Sequence, residues 1–549
     1  MLEPLIQKVT RKKTPIPAGL KAPPRLSGGV PVIGHTVEFV RSTIGLLHRA
    51  HEELGEIAEF EVMGRRMVAL YGPDGHEAVF RAPEDQLSPQ EAYKIMTPIF
   101  GKGMVYDAPQ EKMNEQLKML LPALKDRRMR TYGEIVVQEV EESLSSWGDK
   151  GELDLVEYCR VLTNYTSSHC LLGKEFRGSM NEEFASVYTS LERGITPLAY
   201  INANLPIPSF RERDRARIRL EEMVTKIIEQ RRHSQRKGED FLQTLMDAKY
   251  KGGAPLTEHE ITGMLVASMF AGHHTSSVTT AWAIIELAKR PDLLARVRAE
   301  LDGVFGDGTV PGFHTLRSIP LTEGVVLETL RLHPPLFMLV RVAEKDFTFK
   351  GYFIPKGAWV IVSPTVSHLI PEHFKDPTAF DPDRYGPGRE EDKKDFAFIP
   401  FGGGRHKCMG NAFAILQVKA ILTILLRRFD FELESPNVES DFHGLVVGPK
   451  EPCRVRYKTR EGVTHFQYTG KGANAGAAAL APQKFKVEVD LDLCQGHAVC
   501  QGEAPEVFRV SGVGKVELIS AFPAPELYGK SKMAEKYCPT KTIRITELS

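Results

Sequence analysis

Four groups of residues carry types and spacings that can do chemistry. The first is the run F-G-G-G-R-H-K-C-M-G from Phe401 to Gly410, in which Cys408 sits in a glycine-dense loop ahead of an apolar, helically spaced stretch from Ala412 to Leu426. Glycines let a backbone turn closely around a bulky flat group. The helix start beyond Cys408 offers amide donors and a partial positive charge, which lower a thiol pKa and hold a thiolate. The plainer reading is a free buried cysteine in a turn. The second group is Cys494, His497 and Cys500, with Cys538-Pro539 further on. Iron–sulfur clusters are commonly held by C-x2-C-x2-C with a remote Cys-Pro, and here His497 replaces the middle cysteine. Three cysteines and a histidine can also hold zinc. The third group is Ala271-Gly272-His273-His274-Thr275-Ser276, a polar patch inside an apolar helical run. A hydroxyl beside an imidazole can relay protons near neutral pH, although packed helix histidines are the simpler alternative. The fourth is Glu328 with Arg331, on one helical face, joined by Arg384 in Phe380-Asp381-Pro382-Asp383-Arg384-Tyr385.

These residues need elements to position them. Apolar spacing predicts one long helix from Thr257 to Arg290, opened by a Thr257–Glu260 capping box and closed by Pro291. At 1.5 Å per residue it would run roughly 50 Å, enough to cross a domain. Ahead of it lie a Pro/Gly-rich extended lead-in (1–35), a helix from Val37 to Leu54, and a hairpin of Glu56–Val62 with Met67–Tyr71. Residues 110–300 read as mostly helical, and β-rich segments return near Phe347–Val362 and Gly444–Tyr457. Residues 463–482 are Gly/Ala-rich and read as a linker, with a short alanine helix as the alternative. Residues 483–549 form a compact unit with their own cysteines.

The chain of 549 residues is too long for one core, so at least two domains are expected. Lys+Arg and Asp+Glu balance at 71 each, which gives no electrostatic case for nucleic acid. The seven cysteines cluster toward the end, unlike a secreted disulfide framework. The N-terminus holds no apolar run long enough for a signal or a transmembrane anchor. The expectation is a soluble, cytoplasmic, prokaryote-like protein.

Phe401, Gly404, His406, Cys408 and Gly410 fall at the spacing of the haem-binding loop of the cytochrome P-450 family, which this stretch resembles. The resemblance implies a mainly α (α+β) fold with a small β-rich subdomain over residues 36–462. It also implies haem b ligated by Cys408, and a monooxygenase that uses O2. In the family Glu328, Arg331 and Arg384 form a buried network bracing the haem-side core. The helix patch matches the family's oxygen-side motif at Ala271, Gly272 and Thr275, with His274 in place of the usual acid. Thr275 and His274 are thereby implied in proton delivery.

That histidine, with Tyr93 to Asp107 (Y-K-I-M-T-P-I-F-G-K-G-M-V-Y-D), is similar to the sterol 14α-demethylase branch. The likeness implies removal of a sterol's 14α-methyl group by three oxygenations with release of formate. It places Tyr93, His406, Arg341 and, less directly, Lys118 on the haem propionates. Tyr93, Ile95, Met96, Phe100, Tyr106 and Ala271 would line the sterol pocket. In the branch a Phe at the Ile95 position goes with sterols bearing one C4 methyl, and smaller aliphatic residues accept two. A fused hydroxylase of another apolar substrate is the alternative.

The C-terminal unit resembles small single-cluster ferredoxins of α+β build, with Cys494, Cys500 and Cys538 as ligands. His497 either leaves the fourth corner vacant, giving [3Fe–4S], the favoured reading, or fills it, giving [4Fe–4S]. From Lys484 onward nine acidic residues face nine basic ones, so net attraction to the rest of the chain is weak. The linker would keep the domains together by effective concentration. No flavin- or NAD-binding segment is visible, which implies an external NAD(P)H-dependent ferredoxin reductase.

Overall fold

In the computed structural model the described residues are 15–124, 126–173, 181–195, 199–234, 240–442, 444–463, 483–511 and 514–548. Residues 464–482 of the proposed linker and residues 1–14 of the lead-in lie outside them. The predicted long helix is present as Glu258–Ala288 and is buried over most of its length. Its capping box is complete, with Glu260 N–H on Thr257 Oγ1 at 3.2 Å and Thr257 N–H on Glu260 Oε2 at 2.8 Å. The polar patch does not break it. Thr275, Thr279 and Thr280 donate back to the carbonyls of Ala271, Thr275 and Ser276 at 2.9, 2.8 and 2.8 Å, so these hydroxyls are satisfied within the helix. Leu155–Leu171 and Asn411–Arg428 pack against this central helix and enclose it in the main apolar core. Among the described residues no helix is long and apolar enough to cross a membrane.

Five strands form the principal sheet: β1 (Ile57–Val62), β2 (Arg65–Leu70), β3 (Leu87–Ser88), β4 (Leu339–Ala343) and β5 (Trp359–Val362), in the order β1-β2-β5-β4-β3. The predicted hairpin is β1–β2, in register Ile57↔Leu70, and β5 adds parallel to β2. The helix expected over Val37–Leu54 divides into Thr36–Arg41 and Thr43–Leu54, because the Ser42 side chain accepts the Gly45 N–H and caps a new helix. A second sheet of Lys150–Asp154, Arg454–Thr459 and Phe429–Leu433 closes the far side.

The C-terminal residues build a separate apolar core from Phe485, Val487, Val507, Phe508, Ala534, Ile543 and Ile545. Among the described residues its strands pair only with each other, Phe485–Val489 with Ile543–Glu547 and Phe508–Val510 with Val516–Leu518. Two helices, Val499–Glu503 and Tyr528–Tyr537, cover them.

Candidate functional site

The site rests on a charged network deep in the helical core. Glu328, Arg331 and Arg384 are all fully buried. Arg331 grips both Glu328 oxygens through its Nε and Nη2 edge at 2.8 and 2.7 Å, and Arg384 Nε reaches the same carboxylate at 3.0 Å. Tyr385 Oη and the Asp381 N–H donate to it at 2.8 and 2.9 Å. Bidentate, fully bonded geometry is what makes such a buried group tolerable.

The network reaches the thiol loop through His368. Arg331 Nη1 donates to the His368 carbonyl at 2.9 Å, and the His368 ring lies between the Arg331 carbonyl (3.1 Å) and the Ile399 N–H (3.0 Å). An N–H donor at Nε2 requires a neutral ring protonated at Nδ1, and burial holds His368 down to about 3. Ile399 opens the Ile399-Pro400-Phe401 entry to the loop. Gly404 has φ +62°, and a Cβ there would lie 2.0 Å from the Phe80 carbonyl, so only glycine lets the loop press against the helix Gly72–Arg81.

The Cys408 N–H donates to the Phe401 carbonyl at 2.9 Å. The side chain carries accessible surface although protein packs densely around it. Ala271 is likewise exposed in the middle of the buried central helix. The expectation of a lowered thiol pKa is corrected here. Burial pushes the Cys408 thiol up, and a Gly410 N–H bond and the Lys407 charge offset this only in part. A metal's charge is then what would deprotonate it. A partly accessible thiol in a protein-dense setting, with aromatic and cationic side chains near it, suits a flat iron macrocycle.

Tyr93 and Tyr106 stack at 5.0 Å between centroids. Burial raises the Tyr106 phenol to about 12, with Tyr93 and Cys408 adding to the rise and Arg341 opposing it, so these four groups share one neighbourhood. Arg341 is buried on β4 and donates to the Val340 carbonyl at 2.8 Å. His406 Nε2 lies 3.0 Å from Glu84, whose carboxyl it holds below the usual range. Lys118 lines a cleft with Asn114, Arg405, His406 and Met409. Ile95, Met96 and Phe100 are buried, and Phe100 meets Phe270 of the central helix edge-on at 6.3 Å. The two elements touch because residue 263 is glycine; a Cβ would come 2.3 Å from the Phe100 carbonyl.

On the central helix, His274 Nδ1 and His273 Nε2 both face Glu192, at 3.4 and 3.6 Å. His273 also meets Thr163 Oγ1 at 3.0 Å, and burial holds its ring down to about 4. Burial raises the Glu192 carboxyl, but the two histidines together with Arg160 outweigh it and leave the group below its ordinary value. Glu192 escaped the sequence reading, since nothing in its own helix, Asn181–Arg193, marks it. Glu84 and His368 were missed for the same reason.

In the C-terminal unit Cys494, His497, Cys500 and Cys538 line one small cavity. Backbone N–H groups of Val516 and Thr542 point at the Cys494 and Cys538 sulfurs at 3.4 and 3.3 Å. Among the described residues no three His, Cys, Asp or Glu groups converge on a point as a single metal ion requires. Sulfurs spaced around a cavity suit a polynuclear cluster better than zinc. His497 Nε2 is 3.2 Å from Gln495 Oε1.

The sequence model described as "Cytochrome P450" matches residues 23–455, and the one described as "4Fe-4S single cluster domain" matches residues 487–545. A sterol 14alpha-demethylase of Mycolicibacterium vanbaalenii is 43% identical over 80% of this chain and 99% of its own length. That of Mycobacterium bovis is 44% identical over the same shares, 80% and 99%. The lanosterol 14-alpha demethylase of Mus musculus is 38% identical over 81% of this chain and 89% of its own. Among solved structures, a retinoic acid-bound cyanobacterial CYP120A1 superposes with a TM-score of 0.72 at 25% identity, covering 80% of this chain and 100% of that one.

Proposed function

The chain belongs to the cytochrome P450 family and is a monooxygenase of its sterol 14α-demethylase branch; from this premise we propose that it removes the 14α-methyl group of lanosterol-type sterols by three successive oxygenations, with release of formate. The observation that carries the reading is the likeness to sterol 14α-demethylases along almost their whole length. The packing of the Tyr93–Asp107 segment onto the central helix supports it.

In this reading Cys408 would hold the iron of haem b through its sulfur. Tyr93, Arg341, His406 and Lys118 are donors for its propionates. Thiolate-bound haem supplies the electron push that favours O–O cleavage. The buried Ile95, Met96 and Phe100, with Tyr106 and Ala271, form apolar walls that orient a flat steroid and exclude water. The Thr275 hydroxyl sits one turn from Ala271, and the adjacent His274 sets its ring beside Glu192, so hydroxyl and imidazole are neighbours in the chain for proton delivery. Residues 36–462 make the oxygenase domain and 483–549 the electron carrier, fed by an NAD(P)H-dependent ferredoxin reductase.

Purified protein, supplied with reductant, O2 and a lanosterol-type substrate, should release 14-demethylated sterol and formate. Accumulation of the alcohol without formate would instead favour a hydroxylase of another substrate. In the same assay Ile95→Phe should disfavour substrates with two C4 methyls. Overpacking a rigid pocket costs about 1–3 kcal/mol, or roughly 5- to 160-fold in selectivity. Equal loss on substrates with one and two C4 methyls would remove the steric explanation.

For the cluster we propose three thiolate ligands, Cys494, Cys500 and Cys538, and a [3Fe–4S] core. The engagement of His497 with Gln495 supports a fourth corner without a protein ligand. An oxidised [3Fe–4S] cluster is paramagnetic, so anaerobically purified, mildly oxidised protein should give a strong EPR signal that survives His497→Ala. An EPR-silent cluster with four irons would assign the [4Fe–4S] type that the matching family description names.

A further inference from the structure

The C-terminal domain is seated on the loop that carries Cys408. Gln495, which follows Cys494, donates through Nε2 to the Arg405 carbonyl at 3.0 Å and to the Lys407 carbonyl at 3.1 Å. The Lys407 carbonyl belongs to the peptide that leads into Cys408. On the other side of that loop, buried Asn411 donates to the carbonyl of Pro539, next to Cys538, at 2.8 Å. Lys407 itself lies within electrostatic reach of both Cys408 and Cys538.

Charged residues surround these bridges. Arg317 pairs with Glu503 and lies 4.0 Å over the Tyr537 ring, with little exposure on either charged partner. Lys541 Nζ meets the Asp392 carboxylate at 2.9 Å, Arg81 meets Asp490 at 3.2 Å, and Arg544 meets Asp395 at 3.1 Å. The last pair is mostly exposed and contributes little. The Arg317 pair is shielded and stacked, so it is the stronger latch.

We propose that Gln495 is the electron bridge between the two metal centres, in a domain latched to the oxygenase by Arg317 and Glu503. The inference rests on the haem and cluster assignments above. A through-bond route runs from Cys494 into Gln495, across the Nε2–H···O=C contact to Lys407, and directly into Cys408. One electron leaves the reduced cluster and one reduces the haem iron; no bond or proton moves along the bridge. The same seating covers the face that a separate ferredoxin would need.

The test uses the full-length protein, with iron content and visible spectra confirming both centres, so that failure of the cofactor assignment is recognised separately. Carbodiimide treatment should couple Lys541 to Asp392, read by mass spectrometry without any turnover. Flash reduction by a photoexcited deazaflavin under carbon monoxide should show a fast haem-reduction phase following cluster reduction. Gln495→Leu should lose the fast phase while keeping the cross-link and both reduction potentials. Arg317→Glu, which breaks the Glu503 pair and bonds to no cluster sulfur, should lose cross-link and fast phase together with the cluster still intact by its visible spectrum, and R317E/E503R should restore both. An unchanged fast phase in Gln495→Leu would overturn the bridge. Loss of the cross-link in that variant would reduce Gln495 to a docking residue and overturn it too. Absence of the Lys541–Asp392 cross-link in the unaltered protein would overturn the seating itself.

Discussion

Cys408→Ser is expected to abolish the carbon-monoxide difference spectrum of thiolate haem and all oxygenase turnover, while the C-terminal cluster still assembles. A serine hydroxyl cannot supply a thiolate, and the electron push that a cysteine sulfur would give the haem goes with it. The loop should survive the change, since its turn depends on Gly404 against Phe80 and on the Cys408 N–H bond to Phe401, neither of which uses the sulfur. The cluster cysteines lie in a separate core and share no residue with this loop. Optical and EPR spectra of one preparation decide the matter. Loss of both centres together would show that the two sites are not separately built.

Glu328→Ala should be the most destabilising single change near the site. It leaves the fully buried Arg331 without a carboxylate and Arg384 with Glu391 alone, and removal of one partner from a buried ion pair costs about 3–5 kcal/mol. The damage should reach the thiol loop, because Arg331 also holds His368, which in turn holds Ile399. Denaturant unfolding followed by the haem absorption band, with amide exchange at residues 399–408, reads both effects. A wild-type midpoint with unchanged protection would dismiss the network as the brace of the loop. Glu328→Gln should fall between the two, since it keeps an acceptor but loses the charge.

Net charge proved a poor guide to docking. The C-terminal unit is neutral overall, and tethering was expected to compensate for weak attraction. Individual charges nevertheless find opposite partners on the oxygenase surface, in both directions: Arg317 with Glu503, and Lys541 with Asp392. Complementarity is a property of where charges sit, which a sum over residues erases.

What the sequence determined by itself was everything that depends on near neighbours. The thiol loop, the capped central helix, the i,i+3 pair Glu328–Arg331 and the Cys494–Cys500 spacing are all contiguous, and backbone geometry converts such spacing directly into shared position. Only the tertiary structure brought Glu192 to the two helix histidines, His368 to Ile399 and Gln495 to the Lys407 carbonyl, since each joins segments far apart in the chain. It also reversed the expected direction for the Cys408 thiol. The helix start and glycine turn are local and favour the thiolate, but desolvation is set by every element packed around the sulfur, and in this fold desolvation is the larger effect.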